Sequence, residues 1–433
     1  MSTATMTAES EPRSNMSNPW IRAFLGAMAL IGLPFLFYRL YAGLNVTALG
    51  QVVPWGVWVA FYIYFIGLSA GSFLLSSLIF VFKNEKLEPV GRLAVMQAFA
   101  CLITGLVFIF LDLGHWERFW HVMVYPQWGS VLAWEIWFYN AYIAVLLTEL
   151  WLLMRGDLAR WARDSDTWLR PVYRLCSLGY KLPATAELQA ASEAKTKKIL
   201  TTVGLIGIPI ALGVHGGTGA IFAVVKARPG WYSAIFPLIF IVSALVSGGG
   251  LLLCLRAFLP QNPKEDREIL TTLAKLTGGF LAFDLLLMGL EFLVGLYGAI
   301  PEDLEVFHLI LFGPFWYIFW GLQLGIGAVL PLMLIFIRGD KAGAFRLGLA
   351  GFCIFIGVFG VRLNIVIPAL AVPVFHGFDH AVDSPRLASL YIPNAVEWMS
   401  SLGVVGAAAL VTNYIMHLMP MREHQAAPKR KSK

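Results

Sequence analysis

Six ionisable residues stand where the surrounding sequence is almost wholly apolar: Asp112, Glu135, His215, Asp284, Glu291 and Arg362. A charge in hydrocarbon costs several kcal/mol unless paired or hydrated, so such residues mark a buried ion pair, a pathway or a ligand site. Their types suit proton chemistry. A carboxylate or imidazole within hydrogen-bond reach of a quinone carbonyl can exchange the protons that accompany two electrons, while aromatic side chains line the ring. Trp55, Trp58, Tyr62, Tyr64, Trp134, Trp137 and Tyr139 offer that lining. On this reading Glu135, His215 and Asp112 are candidate catalytic groups, and Tyr62, Trp134, Tyr139, His115 and Arg362 are candidate quinone contacts. Glu135, Asp284, Glu291 and Arg362 form an alternative proton path. A structural ion pair among Glu135, His215 and Arg362 competes with these readings, and Asp284 and Glu291 could equally tie helices together.

The elements that must position these residues follow from composition. The 433 residues are 58% hydrophobic and 13% charged, with mean hydropathy +0.71, which excludes an ordinary soluble domain. About 20 apolar residues span the hydrocarbon core as a helix. That measure predicts an all-α polytopic membrane protein of ten spans, over 20–42, 53–82, 93–113, 129–154, 198–225, 232–258, 271–299, 304–337, 346–371 and 392–418. At a rise of about 1.5 Å per residue, His215 lies about 16 Å and Arg362 about 14 Å from one end of their helices. Asp112 sits at that same end, Glu135 roughly two turns in, and Asp284 near the middle. The polar groups therefore gather in one half of the membrane.

That half is the outer one. Of 32 Lys and Arg, only Arg39, Arg118, Lys226, Arg228, Arg362 and Arg386 fall on its side or in a span. The rest share a side with both termini, which predicts cytoplasmic ends in a bacterial inner membrane. The net charge of +6 thus reflects orientation and not nucleic-acid binding. Residues 1–19 lack the basic start and cleavage site of a signal peptide and read as a polar cytoplasmic N-terminus; 419–433 is a basic cytoplasmic tail. Glu149, near the cytoplasmic end of its helix, is expected to snorkel. Trp116, Trp120, Trp128 and Trp231 read as interfacial belt residues, and Glu117, Arg118 and His121 as a solvated loop that could meet a partner or the mouth of a site.

Several functions are excluded. Cys101, Cys176, Cys254 and Cys353 form no C-x-x-C pair, so no iron–sulfur ligand set or disulfide framework is expected. Haem b needs paired histidines inside the membrane, and only His215 lies well within a span; His308 starts helix eight and His115, His121, His376, His380 and His424 lie in loops or tails. No nucleotide or metal-protease motif is present. A faint repeat pairs "PWGVWVAFYIYFIGLSAG" at Pro54 with "PGWYSAIFPLIFIVSALVSG" at Pro229, and "LGVHGG" at His215 with "FGVRLN" at Arg362. It divides the chain into a first helix and outer loop (20–52), two four-helix bundles (53–225 and 226–371), and an outer loop with the tenth helix (372–418).

The motifs "PWGVWVAFYIYFIGLSAGSF", "LDLGHWERFW" and "FGPFWYIFWGLQLGIGAVLPL" resemble the NrfD/PsrC family of quinone-reactive membrane subunits. "SVLAWEIWFYNAYIAVLLTE", "VRLNIVIPAL" and "YIPNAVEWMSSLGVV" are similar to its ten-helix, HybB/DsrP-like branch. The resemblance implies electron exchange between menaquinone or ubiquinone and a periplasmic ferredoxin-like iron–sulfur subunit, itself joined to a molybdopterin, hydrogenase or cytochrome subunit. It places Asp112, Glu135, His215 and Arg362 at the family's polar positions. The chain departs from the commoner "DLGRP" at His115 and Trp116, and carries "HGGTG" where relatives often have "HQSSLG".

Overall fold

A computed structural model describes residues 18–81, 86–259, 263–337, 343–373 and 384–420. The expectations for residues 1–17 and 421–433, and for His376, His380 and His424, lie outside the described residues. Among those described, ten helices are long and apolar enough to cross a membrane. They are α1 (Pro19–Ala42), α2 (Val57–Val81), α3 (Gly91–Asp112), α4 (Val131–Asp164) and α5 (Ala186–Ala223). Then follow α6 (Phe236–Phe258), α7 (Pro263–Gly298), α8 (Ile318–Phe336), α9 (Ala344–Ala371) and α10 (Ala395–Leu418). Helices prevail because backbone groups in lipid can be satisfied only within the segment. Local signals start them: Asn18 accepts from Trp20 N at 3.0 Å ahead of Pro19, Thr185 caps α5, and Asn394 with Glu397 forms a capping box on α10. The face where α2 and α4 begin is called the first face, and the opposite one the second.

All ten expected spans are present, with differences in extent. The eighth, expected as one run over 304–337, is instead a short helix, Pro301–Leu311, a turn, and then α8. Gly313 and Pro314 cause the break: Pro314 has no amide to continue the ladder, and the amides of Phe312 and Gly313 both close on His308 O at 2.9 and 2.8 Å. After it, Ile318–Val329 is wound as a π-helix, where its glycines let α8 touch α9: a Cβ on Gly327 would stand 2.7 Å from Gly357 Cα. At the second face α4 and α5 run past their expected ends at 154 and 198, because polar residues there continue to pack. Trp161 meets the Tyr173 ring at 5.3 Å, and Arg92 bonds Asp157 at 2.7 Å in a buried pair.

The packing is centred on α2. In its apolar stretch 94% of the residues are buried, against 67% in α6 and α9 and 11% in α1 and α7. It packs against α3, α5, α6 and α9, while α1 lies along α10, α4 along α5 and α8 along α9. Backbones touch where α2 crosses α6. A Cβ on Gly71 would fall 1.7 Å from Ala244 O, and one on Gly248 2.3 Å from Ser72 N. Small residues at such crossings are how membrane helices gain contact when lipid gives no hydrophobic drive between them. Gly71→Leu should therefore separate α2 from α6 and destabilise the protein by about 3 kcal/mol or more; thermal denaturation in detergent, compared with Gly217→Ala, where a Cβ meets nothing within 4 Å, checks this.

Candidate functional site

Three helices supply one buried carboxyl group and its hydroxyl partners. Glu135, one turn into α4, is buried, and its Oε1 accepts from Tyr62 of α2 at 2.8 Å and from Tyr139, one turn further along α4, at 2.8 Å. The Thr218 hydroxyl of α5 bonds the same oxygen, and the two phenol oxygens are 2.6 Å apart. Each hydroxyl has one proton, so Tyr62 can donate to Glu135 or to Tyr139 without either side chain moving. The second oxygen, Oε2, is buried and has no partner among the described residues. The carboxyl is thus gripped by one oxygen while the other keeps unused hydrogen-bonding capacity.

One turn deeper along α5 is a second buried group. Arg362 of α9 lies 3.4 Å from His215 Nε2 and donates to Ser243 of α6 at 3.1 Å. A guanidinium only donates, so Nε2 must be the acceptor and Nδ1 carries the imidazole proton; Nδ1 has no partner among the described residues. Phe240 of α6 stabilises both, with the guanidinium 4.8 Å over its ring and the imidazole centroid at 5.4 Å. Asp284 of α7 acts on Arg362 electrostatically, and its Oδ1 has no hydrogen-bond partner among the described residues. Gly67 of α2 makes the room: a Cβ there would lie 3.1 Å from His215 Cε1 and 3.2 Å from the guanidinium. Thr218 and His215 are three residues apart on α5, a rise of about 4.5 Å, so the two groups are neighbours. Among the described residues no three His, Cys, Asp or Glu side chains converge as metal ligands.

The helices that carry these two buried groups match known proteins in sequence. The family model for polysulphide reductase, NrfD, matches residues 45–374. The chain belongs to the NrfD family. It is 43% identical over 401 residues to a subunit of the selenate reductase of Mesobacillus selenatarsenatis, covering 93% of this chain and 94% of that one. It is 30% identical to a putative dimethyl sulfoxide reductase membrane subunit of Halobacterium salinarum, over 94% and 92% of the two chains. To the Hdr-like menaquinol oxidoreductase integral membrane subunit of Archaeoglobus fulgidus the identity is 27%, over 88% and 89%.

Within this NrfD chain, the expected residues divide. Glu135, Tyr62 and Tyr139 come together, as do His215 and Arg362; Thr218, Ser243, Phe240 and Gly67 join them, although nothing in the sequence sets them apart. Asp112 is not the companion of Glu135. It lies with Arg39 of α1 and Glu397 of α10, which act on it electrostatically, because the end of α3 faces those helices. Trp134 is 51% exposed and turned away, donating to Trp128 O at 2.8 Å; Trp137 is likewise exposed. His115 sits on the surface of the first face, 2.9 Å from Glu117, whose own backbone amide and His115 hold its carboxyl below the usual carboxylate range. Glu291 accepts from Ser233 at 3.1 Å, away from both groups. Trp231, expected in the belt, is buried, stacked on Trp55 at 5.8 Å and bonded to Ile365 O at 2.7 Å.

Around Asp112 a further buried network closes the first face. Arg39 donates to Leu113 O at 2.6 Å and lies 5.7 Å over the Trp58 ring. Glu397 accepts from Ala48 N at 2.9 Å and from the Tyr391 hydroxyl, which itself accepts from Val57 N at 3.0 Å. Burial and the neighbouring Glu397 push the Tyr391 phenol far above its usual range, so it stays protonated. Tyr391→Phe leaves Val57 N–H and Glu397 short of a partner and should cost about 1–3 kcal/mol, read as a lowered midpoint in detergent unfolding.

Proposed function

We propose that this chain is the quinone-interacting membrane subunit of a multisubunit reductase or quinol-oxidising complex. Electrons pass between a quinone in the membrane and an iron–sulfur subunit docked on the first face, the periplasmic one, with both termini cytoplasmic. Family membership supports the coarse part of this reading, since relatives carry the names of reductase and menaquinol oxidoreductase membrane subunits. In this reading residues 53–225 and 226–371 are the two four-helix bundles of the site, flanked by 20–52 and 372–418. A molybdopterin, hydrogenase or cytochrome subunit follows the iron–sulfur partner. The observation that carries the finer reading is the single-sided grip on Glu135, whose Oε2 is buried and unpartnered among the described residues.

The chemistry of the donor set fits a quinone, which when bound carries two electrons and two protons. A quinone oxygen is an acceptor when oxidised and a donor when reduced, and the carboxyl Oε2 of Glu135 can meet either form by holding or releasing one proton. Tyr62, Tyr139 and Thr218 fix that carboxyl without shifting as its charge changes. His215, its Nε2 engaged by Arg362, presents an N–H at Nδ1 that can hydrogen-bond a second oxygen. By contrast the cavity lined by Leu75, Leu78, Ile79, Leu252, Leu273 and Leu276 is wholly aliphatic and has nothing to offer a quinone ring. Glu135→Gln and His215→Ala in the purified complex should each slow turnover with decylubiquinol or menadiol by about 100-fold or more. Wild-type rates in both variants would remove the site.

Asp284 favours a second reading, in which the chain also moves protons through Glu135, Asp284, Glu291 and Arg362. Its Oδ1 is buried without a partner among the described residues, in electrostatic range of Arg362. Asp284→Asn should then abolish charge movement in proteoliposomes beyond that of quinone chemistry while quinone turnover survives; unchanged charge movement rejects it.

A further inference from the structure

The expectation that Glu149 snorkels to the surface fails. Glu149 is fully buried, and neither of its oxygens has a partner among the described residues. An isolated buried carboxylate costs several kcal/mol, which a purely structural role gives no reason to bear. On α2, Ser76 and Ser77 are also fully buried, and their hydroxyls are unpartnered among the described residues. Serine in a membrane helix commonly bonds the carbonyl one turn back, as Ser72 does to Leu68 O at 2.5 Å; Ser76 and Ser77 do not. Glu149 and Ser77 converge on Gly204 of α5, where an added Cβ would lie 3.8 Å from Glu149 Oε1 and 3.9 Å from Ser77 Oγ.

The position of Glu149 repeats a pattern. On α4, Glu135, Tyr142 and Glu149 follow one another at seven residues, and on α2, Tyr62, Ser69 and Ser76 do the same. Seven residues return a helix to within about 20° of its starting direction, so each trio keeps one side. The two helices run in the same direction, and long side chains from both meet in the space between α3 and α5, with direct hydrogen bonds at two levels. At the first, Tyr62 bonds Glu135 at 2.8 Å. At the second, the Tyr142 hydroxyl bonds Ser69 O at 3.1 Å and lies 3.3 Å from Ser69 Oγ. The third is Ser77 with Glu149 at Gly204, and Ser76 holds the next heptad position of the α2 trio. All six side chains of the two trios are buried. Successive levels are about 10 Å apart along the axes, and Glu149 is about 9 Å from Arg155, where α4 meets Tyr180 and Thr196 of the second face.

We propose that Glu149 is the loading site of a proton path that runs between α2 and α4, through the side chains that meet inside the bundle, from the second face to Glu135. The proposal rests on the reading of Glu135 as the proton donor to quinone. Glu149 takes a proton from second-face water. Ser76, Ser77, Ser69 and Tyr142 relay it by accepting one proton and releasing another, with bridging water between levels. Glu135 gives its proton from Oε2 to a quinone oxygen as electrons arrive from the iron–sulfur partner, and is reprotonated from the path. Two electrons and two protons are consumed per quinone reduced. In the quinol-oxidising direction the same groups return the protons to the second face.

The complex reconstituted in liposomes, turning over menadione or decylubiquinone with a pH dye on the second-face side, tests this. Glu149→Gln should lower steady-state turnover at least tenfold and abolish the proton change on that side, with KM for the quinone analogue unchanged, and Glu149→Asp should restore most of both. Ser76→Ala with Ser77→Ala, which removes no charge, should slow turnover severalfold and raise its solvent deuterium isotope effect. Wild-type proton uptake in Glu149→Gln overturns the path; so does an unchanged isotope effect in the serine pair should the glutamine variant not fold. Failure of Glu135 as the quinone group reads out separately, as normal turnover in Glu135→Gln together with a lost second-face proton change in Glu149→Gln.

Discussion

Where α2 crosses α6, Gly71 and Gly248 bring two backbones into van der Waals contact, with Ala244 O and Ser72 N as their neighbours. The rest of the arrangement depends on that approach. A helix pressed so closely against others is buried along its length, and it can present side chains only into spaces that its neighbours leave. Tyr62 reaches Glu135 through one such space, and the missing side chain of Gly67 is the space in which His215 and Arg362 meet. Both polar groups are therefore set by how near α2 stands to α5, α6 and α9.

Their electrostatics follow from the same closeness. Water is excluded from a guanidinium wholly enclosed by helices, and Arg362 is stabilised instead by the face of Phe240, the Ser243 hydroxyl and the charge of Asp284. Because a guanidinium only donates, His215 meets it with Nε2 as the acceptor and leaves its Nδ1–H pointing elsewhere. Glu135 has no cation in hydrogen-bond contact among the described residues and relies on three hydroxyls. The two groups thus differ in kind: one is locked by a permanent charge, and the other can gain or lose a proton within a fixed frame.

Much of this could be read from the sequence, and what could not has physical causes. Ten spans follow from apolar run length, and Glu135, His215 and Arg362 stand out because charge is rare in such runs. Thr218, Ser243 and Phe240 do not stand out, since hydroxyl and aromatic residues are ordinary in membrane helices and their partners lie on other helices. Adjacency in sequence draws Trp134 toward the site, yet one residue turns a helix by about 100°, which sends it to lipid when Glu135 faces α2. Phase also decides Glu149: fourteen residues from Glu135, it points to the same side and so into the bundle. Gly313 and Pro314 mark the break in the eighth helix, but the apolar run around them obscures it. Asp112 shows the limit of depth as a guide, because it shares the level of the site but faces α1 and α10.

The pairing of α1 with α10 has a consequence for how the molecule is made. Their crossing is as tight as that of α2 with α6: a Cβ on Gly32 would lie 2.2 Å from Gly403 N, and one on Gly406 2.8 Å from Ala29 N. These helices come from opposite ends of the chain. α1 can therefore pack on α10 only after more than 350 further residues have been synthesised, whereas the contacts of Arg39 with Leu113 O and the Trp58 ring can form earlier. Synthesis of α10 is the event that covers the glycine face of α1, so a chain truncated before Ala395 leaves Gly32 and Ala29 without the helix that packs on them.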